Sequence, residues 1–337
     1  IAHVACLLNP SLGVLQQMQW EREIVKSEGL DFETYLFTRT SFSKFSVCKT
    51  YKLPKNNLLA YVLLRVRFFI WILKNRKNYD LYIFRYSMHD PFMYLISLFI
   101  KNYATLHHSF EVEEIELYND QNFFIKKAKL LIEKYLGVKV INKAKAIIGV
   151  TEEICKYELL RIFDTKVFKP FFVYPNGIYG TKLIADRRAS QIECILVSSN
   201  FQPWVGLDLL IDQYNRYGDL NIKIHLVGNA PKELLSKLAG KNMFVYHGVL
   251  EGEKLLKLYE RAWLGITSFG FHRKQMKQAC TLKAREYLSL GIPVVGGHEE
   301  VGLPQGFKFY RKIKCSLHEI KRFAIDSRIF SRKEIRE

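Results

Sequence analysis

Short apolar runs and longer stretches of mixed polarity alternate along the first half of the chain. The short runs predict buried strands and lie at residues 1–8, 81–84, 103–106 and 146–150. The longer stretches predict helices and lie at residues 14–28, 58–78, 91–100 and 122–145. Strands that alternate with helices in this way are typical of an α/β fold with a mostly parallel, doubly wound sheet.

The same alternation restarts after Tyr174-Pro175-Asn176-Gly177, a cluster of turn-forming residues. Strands are predicted at residues 194–198, 222–227, 244–247, 264–267 and 293–295, with helices at 207–217, 231–239, 252–260 and 281–290. The chain is therefore expected to divide into an N-terminal domain, residues 1–175, and a C-terminal domain, residues 176–337. We expect a cleft between them, because open parallel sheets bind ligands beyond the carboxyl ends of their strands.

The charge balance adds a preference for anionic partners. The 337 residues include 51 Lys and Arg against 33 Asp and Glu, and the net charge of +18 favours phosphates, polyanions or an anionic bilayer. The six cysteines form no Cys-x-x-Cys pair, so neither a zinc cluster nor a disulfide framework is indicated and a reducing, cytoplasmic location fits best. No apolar run is long enough to span a membrane, and the first run is predicted to be a strand, not a signal peptide.

Residues 281–295 carry the clearest chemical signal in the sequence. They predict a helix whose start offers backbone N–H groups and a positive dipole end, stopped by Gly291 before a buried strand. Such a helix start can bind a diphosphate. Glu286, one and a half turns inside, can accept hydrogen bonds from two vicinal hydroxyl groups, or it can pair in solvent with Lys283 three residues earlier.

This segment resembles the donor-site helix of GT-B glycosyltransferases, in particular glycosyltransferase family 4. Other segments match that family in its own order, and they are Val150-Thr151-Glu152-Glu153, Tyr174-Pro175-Asn176-Gly177-Ile178, Trp204-Val205-Gly206-Leu207-Asp208, His225-Leu226-Val227-Gly228-Asn229 and His247-Gly248-Val249. The resemblance implies two Rossmann-like domains facing a cleft, with the acceptor on the N-terminal domain and a nucleotide-diphosphate sugar on the C-terminal domain. It also allows the last helix to return to the N-terminal domain, and it implies that Glu286 binds the nucleotide ribose.

Three positions depart from the family pattern. The first Glu of the family's pair, eight residues before Glu286, is Gln278 here, which can hydrogen-bond a sugar hydroxyl but carries no charge. The Arg and Lys that grip the donor diphosphate in the family fall on Asn200 and Val205. Both of the family's donor-binding cations are therefore missing from their usual places.

Other donor-side residues must then meet the charge of the diphosphate. The candidates near the helix start are Arg273, Lys274, Lys283, Thr281 and Leu282. Asn200 and Gly228, each of which follows a predicted strand, are further donor-binding candidates. For Arg273 and Lys274, an ordinary pair of loop charges is an equal alternative.

In the first domain, candidate residues follow the predicted strands. Gly13, in the loop after the first strand, can let a ligand approach the backbone closely, or it can simply form a turn. His108 matches a family histidine that touches the donor sugar, although a lone histidine is more often structural. Arg85 and Glu111 are acceptor-side candidates, and solvated loop charge is the alternative for Glu111 and Glu113.

The helices predicted at residues 58–78 and 122–145 combine apolar side chains with Lys and Arg. Packing of their apolar faces on the sheet, with the cations in solvent, accounts for this composition. Shallow docking on an anionic membrane beside a lipid-linked acceptor accounts for it as well. The two interpretations are compatible.

The expected function is a retaining glycosyltransferase, hexosyl or similar, with His108, Gln278 and Glu286 as catalytic residues. The expected acceptor is a glycan or polyprenyl-linked molecule of bacterial surface-polysaccharide biosynthesis, such as capsule, O-antigen or lipopolysaccharide. The family implies no cofactor, and the sequence has no Asp-x-Asp motif for a metal-bound diphosphate. The alternatives are a GT-B sugar epimerase or phosphorylase, a non-catalytic partner, and a basic nucleic-acid-binding protein, although no RRM, KH or helix-turn-helix signature occurs.

Overall fold

The structure is a computed structural model that describes residues 1–39, 44–118, 122–162 and 169–337. It divides into two compact units, Ile1–Pro175 and Asn176–Glu337, and the division falls within the predicted turn cluster. Each unit has its own parallel sheet and its own hydrophobic core. The predicted α/β class with two doubly wound sheets is confirmed.

The first unit is built on a parallel sheet. Its described strands are β1 (Ala2–Cys6), β2 (Glu33–Thr38), β3 (Cys48–Thr50), β4 (Tyr82–Arg85), β5 (Tyr103–His107), β6 (Ala146–Gly149) and β7 (Phe171–Val173). They lie in the order β3-β2-β1-β4-β5-β6-β7, and each neighbouring pair is parallel. The apolar pattern of the sequence does not predict β2, β3 and β7. Strand β2 begins with polar residues, and the other two have only three residues each.

Helices cover this sheet. They are α1 (Leu12–Ser27), α2 (Asn57–Asn75), α3 (Pro91–Phe99), α4 (Glu111–Leu117), α5 (Phe123–Ile132), α6 (Val138–Lys143) and α7 (Glu152–Arg161). Helix α2 shows how the pattern works, because its buried residues Ala60, Leu64, Phe68 and Ile72 are spaced by four and form one apolar face. None of the helices in the described part of the chain combines the length and apolar character that crossing a membrane requires.

The helix predicted at residues 122–145 is interrupted. A π-helical turn, Glu133–Gly137, separates α5 from α6. Glu133 is fully buried there, and it accepts hydrogen bonds from the Tyr86 hydroxyl at 2.8 Å and from the His89 backbone N–H at 2.6 Å. A Cβ on Gly137 would lie 2.5 Å from the Tyr86 hydroxyl oxygen, so this glycine lets the turn approach the Tyr86 side chain closely.

Glu133 belongs to a buried group of charges that we call the Arg161 cluster, comprising Glu111, Glu133, Glu158, His107 and Arg161. The guanidinium of Arg161 donates to both carboxylate oxygens of Glu158, at 2.9 and 3.1 Å, and to Glu133. It lies 3.6 Å from the carboxylate of Glu111. The cluster ties α7 to the π-helical turn and to the start of α4.

His107, the last residue of β5, completes the cluster. Its Nδ1 lies 2.9 Å from Glu111 and 3.6 Å from Glu158, and its ring stacks on Tyr86 with centroids 4.4 Å apart. One guanidinium cannot balance three buried carboxylates. Burial therefore raises the pKa of Glu111 to about 7 and, with the Glu111 charge beside it, raises the pKa of Glu158 well above its ordinary value.

The second unit repeats the parallel arrangement. Its strands are β8 (Ile192–Asn200), β9 (Ile222–Asn229), β10 (Phe244–Tyr246), β11 (Leu264–Ile266), β12 (Gln278–Ala279), β13 (Val294–Gly296), β14 (Glu299–Glu300) and β15 (Tyr310–Lys312). The main sheet has the order β10-β9-β8-β11-β13-β15, and β12 pairs with β14 separately. The helices are α8 (Leu207–Tyr217), α9 (Lys232–Leu238), α10 (Gly252–Arg261), α11 (Leu282–Ser289), α12 (Leu317–Ser327) and α13 (Arg332–Arg336).

The last helix, α13, belongs to the second unit and packs against its other helices. Arg332 is buried, and its guanidinium donates to the backbone carbonyls of Tyr259, Glu260, Ala262 and Gly291 at 2.9 to 3.3 Å. Burial lowers the pKa of Arg332 to about 10, so the side chain stays charged at neutral pH. These four bonds hold α13 against the ends of α10 and α11.

The raised pKa of Glu111 predicts a pH-dependent stability. The folded chain keeps a proton on Glu111 up to about pH 7, whereas the ordinary pKa is 4.5. The resulting stabilisation is fully present below pH 4.5 and is lost as pH rises through about 7, which lowers the free energy of unfolding by roughly 3 kcal/mol at most. Glu111→Gln imitates the protonated carboxyl group and should flatten this fall, as measured by urea unfolding between about pH 4 and pH 8.

Glu116→Gln is the matched control, because Glu116 lies on the same helix with its side chain 52% exposed. It should keep the pH dependence of the wild-type chain. If Glu111→Gln kept that dependence as well, another group would be responsible for it.

Candidate active site

The predicted donor helix forms at the expected place in the second unit. Thr281 is the N-cap of α11, and its hydroxyl accepts a hydrogen bond from the Ala284 N–H at 3.3 Å. Gly291 follows the helix with φ 77°, and a Cβ there would lie 2.3 Å from the Arg332 carbonyl oxygen. A glycine is therefore required at this stop, and the helix begins where the sequence indicates a phosphate-binding start.

Glu286 is half-buried on α11 and has two side-chain partners. Oε1 accepts from the Tyr259 hydroxyl at 2.8 Å, and Oε2 accepts from the Lys283 ammonium at 2.6 Å. Burial and the charge of Glu286 raise the pKa of Tyr259 well above its ordinary value, so its phenol remains a neutral donor. The predicted pairing with Lys283 is thus present, and Tyr259 adds a second donor that fixes the carboxylate.

The start of α11 is partly occupied by another carboxylate. Glu300 of β14 accepts from the backbone N–H of Thr281 at 2.9 Å and from its hydroxyl at 3.0 Å. The sequence predicts that the N–H groups at this helix start are available to a ligand. The structure corrects that expectation for Thr281, whose donors already serve Glu300.

Arg273 and Lys274, two candidate ligands of the diphosphate, are engaged elsewhere in the second unit. Arg273 forms a two-pronged pair with Asp208 of α8 at 2.6 and 3.0 Å, and it donates to the Pro203 carbonyl at 2.6 Å. Lys274 is buried, with its ammonium 4.6 Å from the ring centroid of Trp204. Both cations fasten the 3₁₀ turn Phe271–Lys274 to the beginning of α8, which agrees better with structural charges than with a diphosphate grip.

Three other positions singled out in the sequence lie at the ends of β8 and β9 and in the loop before α8. Asn200 ends β8 and is exposed, whereas Val205, at the position of the family's Lys, is buried in the hydrophobic core. Gly228, near the end of β9, has φ 131°, and a Cβ there would lie 1.6 Å from the Ser198 carbonyl oxygen. Gly228 is therefore needed for β8 and β9 to approach each other at this edge.

Gln278 lies in β12, three residues before the N-cap of α11. It pairs in register with Glu299 of β14, and backbone bonds of 2.9 Å on either side join Glu299 to Lys277 and Val301 to Ala279. Leu282 is the first residue of α11. The structure thus brings Gln278, Thr281, Leu282, Lys283 and Glu286 together on one short segment.

Three candidates of the first unit, namely Arg85, His108 and Gly13, lie outside the Arg161 cluster. Arg85 ends β4, donates to Gln17 at 3.2 Å, and has its pKa lowered to about 10 by burial. His108 follows β5, and burial, assisted by the charge of Arg85, lowers its pKa well below the ordinary value. Its Nε2 is enclosed without a hydrogen-bond partner among the described residues, so a neutral imidazole lies beside Arg85. Gly13 is the second residue of α1 and not part of the preceding loop.

Glu111, the acceptor-side candidate, is not a solvated loop residue. It is the first residue of α4, is 4% exposed, and belongs to the Arg161 cluster. Glu113, the neighbouring candidate, accepts from the Tyr157 hydroxyl at 2.6 Å. Internal donors therefore hold both carboxylates.

The Arg161 cluster also contains a possible metal-ligand set. Ligand atoms of His107, Glu111 and Glu158 lie within 4.8 Å of one another. Arg161 already contacts Glu158 at 2.9 Å and Glu111 at 3.6 Å, so a guanidinium supplies positive charge at this place. The donor set therefore fits an ion-pair cluster better than a metal centre.

The sequence does not point to Tyr259 and Glu300, two residues that contact α11 from outside it. Tyr259 lies on the buried face of α10, a position that the apolar spacing of residues 252–260 could have indicated. Glu300 had no such signal, because it follows a short apolar strand and precedes a loop.

The comparisons with known proteins concern the fold. No protein-family model matches the sequence, and no curated protein matches it. Among solved structures, similarity extends over 99% of this chain to WaaG, a glycosyltransferase involved in lipopolysaccharide biosynthesis, with a TM-score of 0.62, 12% identity and 94% of that chain covered.

Two other solved structures are similar over 99% of this chain. A glycosyltransferase from Rickettsia africae ESF-5 has a TM-score of 0.59 and 14% identity, with 92% of that chain covered. Anabaena Alr3699/HepE in complex with UDP and glucose has a TM-score of 0.54 and 13% identity, with 97% of that chain covered. The chain therefore has the GT-B fold, as do the solved glycosyltransferases similar to it.

Proposed function

We propose that the chain is a glycosyltransferase that binds a nucleotide-diphosphate sugar in its second unit, at the start of α11. The observation that carries this proposal is the position of Glu286, a half-buried carboxylate fixed by Tyr259 and Lys283 on the helix that follows β12. Its two oxygens can accept hydrogen bonds from the two hydroxyl groups of a ribose. The GT-B fold supports the assignment, and one structure of that fold contains UDP and glucose.

The Lys283–Glu286 pair gives this site two states. In the free protein, Lys283 neutralises Glu286 at 2.6 Å. A ribose that takes the carboxylate oxygen would release the lysine, whose ammonium then becomes available to the donor diphosphate one turn nearer the helix start. Lys283 would thereby replace the cations that the family carries at the positions of Asn200 and Val205.

The proposed reaction is a retaining transfer that needs no metal ion. Stabilisation of the departing diphosphate by Lys283 and by the N–H groups at the start of α11 would supply the main electrostatic contribution. The departing phosphate would take the proton of the acceptor hydroxyl as the sugar is transferred to that oxygen. His108, as a neutral imidazole, is proposed to hydrogen-bond the donor sugar.

Nucleotide binding tests the proposal directly. At millimolar concentration, at least one of the nucleotides UDP, GDP and CMP should raise the melting temperature of the wild-type chain. Glu286→Ala should weaken the binding of that nucleotide by about 1.5 to 3 kcal/mol, because the ribose hydroxyl groups lose a charged acceptor. Isothermal titration calorimetry measures this difference.

Glu253→Ala is the matched control, because Glu253 also pairs with a lysine on a helix of the second unit but has a side chain 78% exposed. It should leave nucleotide affinity unchanged. Single-stranded RNA, assayed at low and high salt, serves as the competing ligand. Stabilisation by RNA alone, lost with salt, or an unchanged affinity in a folded Glu286→Ala chain would contradict the proposed donor site.

The acceptor is proposed to be a polyprenyl-linked or other lipid-linked glycan of bacterial surface-polysaccharide synthesis, reached from the cytoplasmic face of the membrane. Helix α5 supports this part of the proposal, since it has no buried residue. Phe123, Phe124 and Ile125 are 70%, 77% and 54% exposed, and Lys126, Lys127 and Lys129 follow within one turn. Exposed aromatic residues beside lysines suit shallow insertion into an anionic bilayer surface, and the net charge of +18 favours the approach.

Vesicle binding tests the membrane contact. The wild-type chain should co-sediment with vesicles containing phosphatidylglycerol and should bind pure phosphatidylcholine vesicles much less. The double variant Phe123→Ser and Phe124→Ser should lose roughly tenfold or more in partitioning, because each buried aromatic side chain contributes about 1.5 to 3 kcal/mol.

Ile329→Ser provides the control, because Ile329 is 81% exposed but belongs to the second unit. It should partition like the wild-type chain. Equal losses in both variants, or equal binding to neutral and anionic vesicles, would argue against α5 as the contact.

A further inference from the structure

A buried carboxylate lies directly against the proposed phosphate-binding start of α11. Glu300 is 7% exposed, and each of its two oxygens accepts one hydrogen bond from Thr281. His298 donates to the same carboxylate at 2.9 Å, and the Arg285 guanidinium lies 3.5 Å away. Glu300 is therefore held in place by donors from both sides.

The position is one that anions favour. The first N–H groups of a helix have no partner within the helix, and the dipole places partial positive charge there. Glu300 uses the N–H of Thr281, the first of these groups, as a bound phosphate would. The charge of Arg285 is shared, because the same guanidinium also donates to the Val301 carbonyl oxygen.

We propose that Glu300 is a specificity-determining residue that makes the donor site select the intact donor over the released nucleoside diphosphate. This inference rests on the proposed function. The negative charge of Glu300 at the helix start opposes the charge of a bound diphosphate, and the opposition grows with each additional negative charge on the ligand.

The donor and the product differ in this property. A nucleotide-diphosphate sugar is esterified at both ends and carries about two negative charges, whereas the free nucleoside diphosphate exposes a terminal phosphate whose second pKa is about 6 and so carries nearly three. A fixed carboxylate therefore weakens the binding of the product more than the binding of the donor. The consequence is faster product release and weaker product inhibition.

Charge removal at this position provides the test. Glu300→Gln keeps the shape of the side chain and an oxygen that accepts from the Thr281 N–H, but it removes the negative charge. Dissociation constants are measured for UDP against UDP-glucose and for GDP against GDP-mannose. We expect Glu300→Gln to lower the dissociation constant of the nucleoside diphosphate by about fivefold more than that of the matching nucleotide sugar.

Two further variants control for charge and folding. Glu299→Gln removes the same charge from the neighbouring exposed residue of β14 and should leave the ratio of the two constants at the wild-type value. If Glu300→Gln does not fold, Glu300→Met, which also removes the charge, replaces it. An unchanged ratio, or an equal loss for both ligands, would reduce Glu300 to a structural role and overturn the inference while nucleotide binding by the wild-type chain stands.

Inorganic pyrophosphate separates this inference from the proposed function, because it needs no ribose or base site. It should bind Glu300→Gln about fivefold more tightly than the wild-type chain or Glu299→Gln. If no nucleotide binds the wild-type chain, the proposed function fails and the pyrophosphate comparison alone decides whether Glu300 opposes phosphate. Equal pyrophosphate affinity, or none, in the wild-type chain and Glu300→Gln would overturn the inference.

Discussion

Parallel pairing of the strands is the constraint from which the rest of this molecule follows. A parallel neighbour can be reached only through a crossover, so helices return the chain across the faces of both main sheets. All strands in a sheet then end at one edge, and the helices that follow begin there. The second unit uses this edge for Asn200, Gly228 and the start of α11, three features far apart in the sequence. The candidate site is thus formed by strand ends and a helix start at one edge of the sheet.

The excess of positive charge is not all available to ligands. Arg161 is surrounded by buried carboxylates in the first unit, and Arg273 and Lys274 join a turn to α8 in the second. Lys283 differs, because its partner Glu286 is the residue proposed to bind the ribose. A pair whose members would each serve a different part of the ligand can separate at little cost. The missing family cations are therefore compatible with a working donor site, provided that ligand binding divides this pair.

The sequence predicted what depends on neighbours along the chain. The donor helix was expected at residues 281–290 and occurs at Leu282–Ser289, because its cap, its apolar face and its glycine stop are all local. Contacts between distant segments were not predictable. Glu300 reaches Thr281 through the pairing of β12 with β14, whose two-residue strands show no periodicity. Glu111 looked like a solvated loop residue, but Arg161, on a later helix, draws it into the interior. The π-helical turn at Glu133–Gly137 likewise depends on Tyr86 and His89, which lie in the loop between β4 and α3.

The four carbonyl bonds of Arg332 have a consequence for the second unit. They clasp the far ends of α10 and α11, while Glu300 holds the opposite end of α11. Helix α11 is thus anchored at both ends by residues that come after it in the chain. Proteolytic trimming that removed α13 would take away one donor from each of these four carbonyl oxygens, and the loss would reach the backbone of Tyr259. Helix α13 therefore stabilises the position of α11, and its removal would weaken the attachment of the C-terminal end of α11.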